Sequence, residues 1–193
     1  ENLLNHVFIL EAKHLNRLLF VTDGAMNIAP TLEEKARIIS NTVALAQIFE
    51  VEQPKVAVIS AVEVVTPGMQ STLEAAALAK MSDRNQFHGG IVDGPLAPDN
   101  AINPLAAKYK KIGGVVAGNA DILLMPDIVS GNAVSKSFAH ITGGTTAGLI
   151  FGAKAPVILP SRSDSKESKL AGIACAVYVA GANAIKRVKI GKV

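Results

Sequence analysis

The chain has 193 residues, a net charge of +3 and a pI near 9.0, with 49% apolar and 18% charged residues. That is the balance of a globular protein with core enough for one domain or two small ones. The mild charge without a block of like charges, the absence of Trp and an aromatic share of 4% argue against a nucleic-acid surface. Cys175 is the one cysteine, so no disulfide forms within the chain. No apolar run has the length of a membrane span and no secretory pattern opens the chain, so the expectation is a soluble cytoplasmic protein.

In chain order, 6–12 and 17–23 are β-rich runs joined by a short polar link, which predicts a hairpin or two adjacent strands. A helix follows from Pro30. Thr31 and Glu34 have capping-box spacing, and Leu32, Ala36, Ile39, Val43 and Ala46 share a face. Residues 55–60 read as a buried strand. Residues 71–81 read as a helix with a second capping box, Ser71 and Glu74.

A strand at 89–94, a helix at 103–111 with Pro104 in its first turn, a strand at 121–127 and a helix at 131–141 closed by Gly143 come next. Strands at 147–153 and 156–160 precede a helix over 170–180, whose all-round apolar sequence predicts burial. Cys175 within it reads as an inert core residue. The alternation predicts an α/β protein, a sheet with helices on both faces.

In open α/β sheets ligands bind beyond the carboxyl ends of the strands. The loops there, 22–30, 60–68, 93–101, 126–132 and 160–168, are rich in Asp, Asn, Ser and Gly. The same residues also make ordinary caps and turns. Dinucleotide and P-loop glycine patterns, a nucleophile-elbow serine, a zinc helix and paired cysteines are all missing. His6, His14, His88 and His140 show no metal-ligand spacing and read as structural or surface residues.

"PSRSDSKES" (160–168) is the strongest local signal. A cap at Asp164 with Glu167 three residues on explains its acids and serines. It leaves Arg162 unexplained. The start of a helix carries partial positive charge, and an added guanidinium beside it suits a bound anion.

"FVTDGAMNIAPTLEEK", "VDGPLAPDNAI", "ADILLMPDIVSGNAVSK" and "PSRSDSKESKLAGIACAV" resemble, in this order, the phosphate acetyltransferase and phosphate butyryltransferase family, with wording closer to the butyryltransferases. The resemblance covers nearly all of 17–181. It implies a three-layer α/β/α fold, part of a two-domain architecture like that of isocitrate and isopropylmalate dehydrogenases. Residues 1–16 would end the first domain or link to the second, 17–148 would be the inserted domain, and 149–193 would return to the first. Family chains are longer, with the extra length at the N-terminus.

The implied reaction moves an acyl group, butyryl or branched, between CoA and inorganic phosphate. CoA and phosphate are substrates, no further cofactor or metal is implied, and a cytoplasmic homodimer is expected. By resemblance Ser161, Arg162 and Asp164 are the catalytic candidates. Arg162 would hold phosphate or developing charge, Ser161 would donate to the carbonyl or the sulfur, and Asp164 would be the base. Asn27, Asp127, Asn132, Lys136 and Ser163 are the candidate substrate-binding residues. The aspartate that the acetyltransferase pattern carries seven positions after the serine is Ser168 here. The alternative is a non-catalytic or truncated relative that binds CoA or acyl phosphate. A metal-dependent hydroxyacid dehydrogenase lacks the clustered aspartates it would need.

Overall fold

The computed structural model describes residues 3–12 and 15–190. His14 lies outside the described residues. The strands are β1 (Asn5–Ala12), β2 (Arg17–Thr22), β3 (Lys55–Ile59), β4 (Ile91–Leu96), β5 (Ile122–Leu124), β6 (Thr145–Phe151) and β7 (Val157–Ile158). The helices are α1 (Leu32–Ile48), α2 (Gln70–Asp83), α3 (Pro98–Ile102), α4 (Pro104–Tyr109), α5 (Ile128–Thr142) and α6 (Lys166–Ile190).

One seven-stranded sheet runs β4-β3-β5-β2-β1-β6-β7. Its first four strands are parallel, joined by helical crossovers, and the β2/β1, β1/β6 and β6/β7 pairs are antiparallel. The expected hairpin is therefore present as β1 and β2. The boundaries expected at 16/17 and 148/149 both fall within this sheet, since β1 pairs with β2 across the first and β6 spans the second.

Alternate residues of each strand feed opposite faces. Phe20, Val56, Val58, Ile122 and Leu124 pack with Ile38, Ile39 and Val43 of α1, Leu78 of α2 and Val179 of α6. Leu19, Val21, Ala57, Ile59 and Leu123 pack on the other face with Ala101 of α3, Ala107 of α4 and the partly buried Val134 and Phe138 of α5. Helices thus cover both faces, as the apolar strand runs predicted.

The α1 capping box forms as expected. The Thr31 hydroxyl accepts the Glu34 N–H at 3.3 Å and the Glu34 carboxylate accepts the Thr31 N–H at 2.7 Å. Those bonds also hold the Glu34 carboxyl below its ordinary value. α5 ends at Gly143, whose φ of 67° is left-handed.

Three expectations are corrected. α2 begins at Gln70 with Met69 as its cap residue, and no side chain caps it. Ser71 instead lies 2.8 Å, hydroxyl to hydroxyl, from Ser60, and Glu74 takes the buried Lys35 ammonium. The entry to α2 is closed by Thr72, which accepts the Thr66 N–H at 2.9 Å.

α6 begins at Lys166, so the cap ahead of it is Ser165, whose hydroxyl accepts the Ser168 N–H at 3.1 Å, and not Asp164. The same helix is not buried all round. Ala176 and Val179 are buried, while Leu170, Ile173 and Val177 are more than half exposed. α6 packs one stripe onto β6 near the end of the sheet, and no described element covers its outer face. Cys175 is half-buried on the inner side, and burial raises its thiol above the ordinary value.

Candidate functional site

The site forms where the sheet turns antiparallel. Phe8 lies opposite Gly148 and Leu10 opposite Thr146 in the β1/β6 register. Opposed residues share a face, so His6, Phe8, Gly148 and Thr146 look toward α5. α5 answers with Asn132, Ser135, Lys136, Ala139 and His140, spaced i, i+3, i+4, i+7 and i+8 along one stripe. The stretch from Leu159 to Ser161, together with Asp164, forms the third wall. Between them is a cavity of about 180 Å³.

Two glycines set its dimensions. A Cβ at Gly131 would stand 2.2 Å from the Asp23 carbonyl oxygen, so only glycine lets α5 approach the turn after β2 this closely. That approach lets the Asn132 side-chain amide donate to the Gly24 carbonyl at 3.1 Å. A Cβ at Gly148 would stand 2.8 Å from the Leu159 oxygen and 2.9 Å from His6 Nε2. The ring of His6 therefore sits hard against β6 and the chain leaving β7.

His6 is completely buried, and its ring packs edge-on to Phe8 with centroids 4.3 Å apart. Burial pushes the imidazole below its ordinary value of 6.5, against the opposing pull of Asp23, the Leu159 carbonyl and Asp164. It is neutral at pH 7, with one nitrogen able to donate and the other able to accept. Its backbone N–H donates to Asp23 at 3.0 Å.

The pocket brings together Ser161, Asp164, Asn132 and Lys136 of the residues singled out in the sequence. Ser161 is half-buried, its N–H donates to the Asp164 carboxylate at 2.7 Å, and its hydroxyl lies 3.0 Å from that of the exposed Ser163. Arg162 is exposed at the tip of the same turn, beside the pocket and outside its lining. Ser168 is buried, and its hydroxyl accepts the Thr146 N–H at 3.2 Å.

Two other expected residues do structural work. The Asn27 side-chain amide donates to Asp23 at 2.6 Å and to the Leu4 carbonyl at 3.0 Å. Asp127 caps α5, accepting the Ser130 N–H at 2.8 Å, and that bond above all holds its carboxyl below the ordinary value. Neither lines the pocket.

His6, Ser135, Thr146 and His140 line it without having been singled out as ligand residues. A signal was available for the first. His6 falls in register with Phe8 and Leu10 on the inward face of an otherwise apolar strand, where a polar side chain calls for a partner. Ser135 had none, since a serine inside a helix is unremarkable without the sheet it faces.

The pocket carries one ammonium, one carboxylate, two imidazoles, hydroxyls and an amide. Such a set can hold a small anion or a carbonyl group and move a proton beside it. Among the described residues no group of three or more His, Cys, Asp or Glu side chains could hold a metal ion, and no helix is long and apolar enough to cross a membrane.

Comparison with known proteins gives this geometry a setting. The sequence profile of the family described as phosphate acetyl/butaryl transferase matches residues 1–177. The chain is 51% identical over 176 residues to a probable phosphate butyryltransferase of Bacillus subtilis, covering 91% of this chain and 59% of that protein. It is 49% identical over 178 residues to a phosphate butyryltransferase of Clostridium acetobutylicum, covering 92% and 59%. In three dimensions it resembles a branched-chain phosphotransacylase from Enterococcus faecalis V583, with a TM-score of 0.84, 36% identity and coverage of 91% of this chain and 63% of the other. The chain thus spans about three-fifths of the length of the curated relatives named here.

Proposed function

The chain belongs to the phosphate acetyl/butaryl transferase family, and from that premise we propose that the protein transfers an acyl group, butyryl or branched, between CoA and inorganic phosphate. The observation that carries the reading is the convergence of Ser161, Asp164, Asn132 and Lys136, drawn from two separate sequence motifs, on one small cavity. In the acyl-phosphate-forming direction a phosphate oxygen attacks the thioester carbonyl carbon, the C–S bond breaks, and the sulfur leaves as a thiolate.

Charge builds on the carbonyl oxygen along the way, and donors aimed at it lower the barrier. Lys136 and Arg162 supply positive charge for the phosphate, and Ser161 donates a hydrogen bond to the carbonyl oxygen or the leaving sulfur. Asp164 fixes the turn that presents them, with its carboxylate on the Ser161 N–H. The reading includes a cytoplasmic homodimer that uses CoA and phosphate as substrates and no further cofactor.

The test is release of free CoA from a series of acyl-CoAs with phosphate, using the complete protein. Turnover that peaks at butyryl or branched substrates is the expected result, and no turnover at any chain length would reject the reading. Arg162→Ala should lower kcat/KM for phosphate by about tenfold or more. Its circular dichroism should not change, since Arg162 is exposed.

A further inference from the structure

Among the described residues, four buried side-chain atoms lack a hydrogen-bond partner: His6 Nδ1 and Nε2, Ser135 Oγ and Arg17 Nε. Arg17 has other compensation, with the Asp121 carboxylate at 3.9 Å and the Ala120 carbonyl 3.3 Å from its Nη2. The remaining three atoms belong to two residues, and both line the same pocket. His6 is 0% exposed and Ser135 is 1% exposed. Buried polar atoms are nearly always paired; the Leu159 carbonyl can serve at most one ring nitrogen of His6, so the other nitrogen and the Ser135 hydroxyl mark where a ligand's polar atoms belong. Of the other proton-accepting side chains in the lining, Asp164 already takes the Ser161 N–H and His140 is exposed to solvent.

We propose that His6 is the group that takes up the thiol proton of CoA at this pocket. The inference rests on the acyl-transfer reading and deepens it. With acyl phosphate and CoA as reactants, the thiol proton passes to a bare ring nitrogen as the sulfur attacks the carbonyl carbon. The C–S bond forms, the C–O bond to the phosphate breaks, and the phosphate departs with the electron pair. The imidazolium then gives its proton to the phosphate. In the other direction the same proton returns to the thiolate. A thiol is a poor nucleophile until deprotonated, with an ordinary pKa of about 8.5, so a base at the sulfur is worth having at neutral pH.

The charged and titratable groups facing His6 are Asp23 from the end of β2, Asp164 from the loop before α6, and Lys136 and His140 on α5. β6 and β7 bring none. Burial keeps the ring neutral, so the base form is the resting form. The rate of CoA acylation should therefore hold at neutral pH and fall on acidification through the His6 pKa, below 6.5.

The experiment follows kcat and kcat/KM for CoA against pH in the complete protein, its His6→Gln variant and its Asp164→Asn variant. His6→Gln should lose about a hundredfold in kcat and lose the acid limb of the profile, while its circular dichroism remains that of the folded protein. A rate close to wild type with the acid limb intact would overturn the inference. So would an acid limb that disappears in Asp164→Asn and persists in His6→Gln.

If His6→Gln does not fold, the unmodified protein decides by another route. Its histidine ring nitrogens, followed by NMR, should respond at His6 to CoA and not to desulfo-CoA. An equal response to both rejects a role at the sulfur. An inactive wild type rejects acyl transfer itself, whereas an active wild type with an indifferent His6→Gln rejects only the role given to His6.

Discussion

The turn after β2 and the pocket beside β6 are neighbours built from similar residues, and they differ in what is left over. In the turn, Asp23 is buried and fully engaged. It accepts the N–H groups of His6, Ala25 and Met26 at 3.0, 2.8 and 2.9 Å, and the Asn27 side-chain amide at 2.6 Å. Asp127 and Asn100 are likewise spent on helix starts, and Ser60 on Ser71. In the pocket, His6 and Ser135 are equally buried, and the Ser135 hydroxyl and at least one His6 ring nitrogen are left without a partner. A polar residue beyond a strand end therefore says little until its partners are counted. Saturated atoms build the scaffold, and unsaturated ones point to a ligand.

The largest effect should come from breaking the saturated side. Asp23→Ala strands several backbone donors in the interior, and hydrogen bonds to a charged acceptor are each worth about 1.5–3 kcal/mol. A loss of about 3 kcal/mol or more is expected in urea unfolding, read as a lower midpoint at constant slope. A loss within experimental error would mean the turn is held by something other than its carboxylate.

A middle-sized effect separates the two sides of α6. Val179 is 0% exposed and Val177 is 67% exposed, two positions apart on one helix. Val179→Ala should cost about 2 kcal/mol through lost burial and a cavity. Val177→Ala should stay within about 0.5 kcal/mol. Equal costs would show that the outer stripe of α6 is covered in the protein in solution.

That helix also marks the limit of what the sequence discloses. Strand runs such as 55–60 and 121–127 are apolar on both sides because helices cover both faces of the sheet, and both are legible as strands, the first as a buried one. The run over 170–180 is apolar all round as well, yet only one stripe of it is buried. Composition reports what a segment tolerates, and the number of neighbours it meets is set by its place near the sheet's end. The site divides similarly. Ser161, Asp164, Asn132 and Lys136 were visible because they lie in loops or in motifs with a family likeness, and they converge on the pocket. Asn27 and Asp127 were visible for the same reason and serve the scaffold. His6 and Ser135 are separated by most of the chain, and only the packing of α5 across β1 and β6 makes them neighbours of one cavity.

The smallest effect concerns Asp127, where cap and charge can be told apart by pH. The Ser130 N–H is the main cause that holds its carboxyl below the ordinary range. A depressed folded-state pKa means stability that is present above the unfolded value, near ~3.9, and is lost as pH falls through the folded value. Asp127→Ala should cost about 1 kcal/mol at pH 7, the usual worth of a helix cap. The gap between the two proteins should narrow in acid, because the wild-type carboxyl is then protonated and its charge-assisted bond to the Ser130 N–H weakens. A gap that stays constant down to pH ~2 would leave the hydroxyl-like hydrogen bond of the neutral acid as the whole cap, with no electrostatic part. Any loss of acyl transfer in Asp127→Ala beyond what its stability accounts for would move this residue from the scaffold side of the comparison to the ligand side.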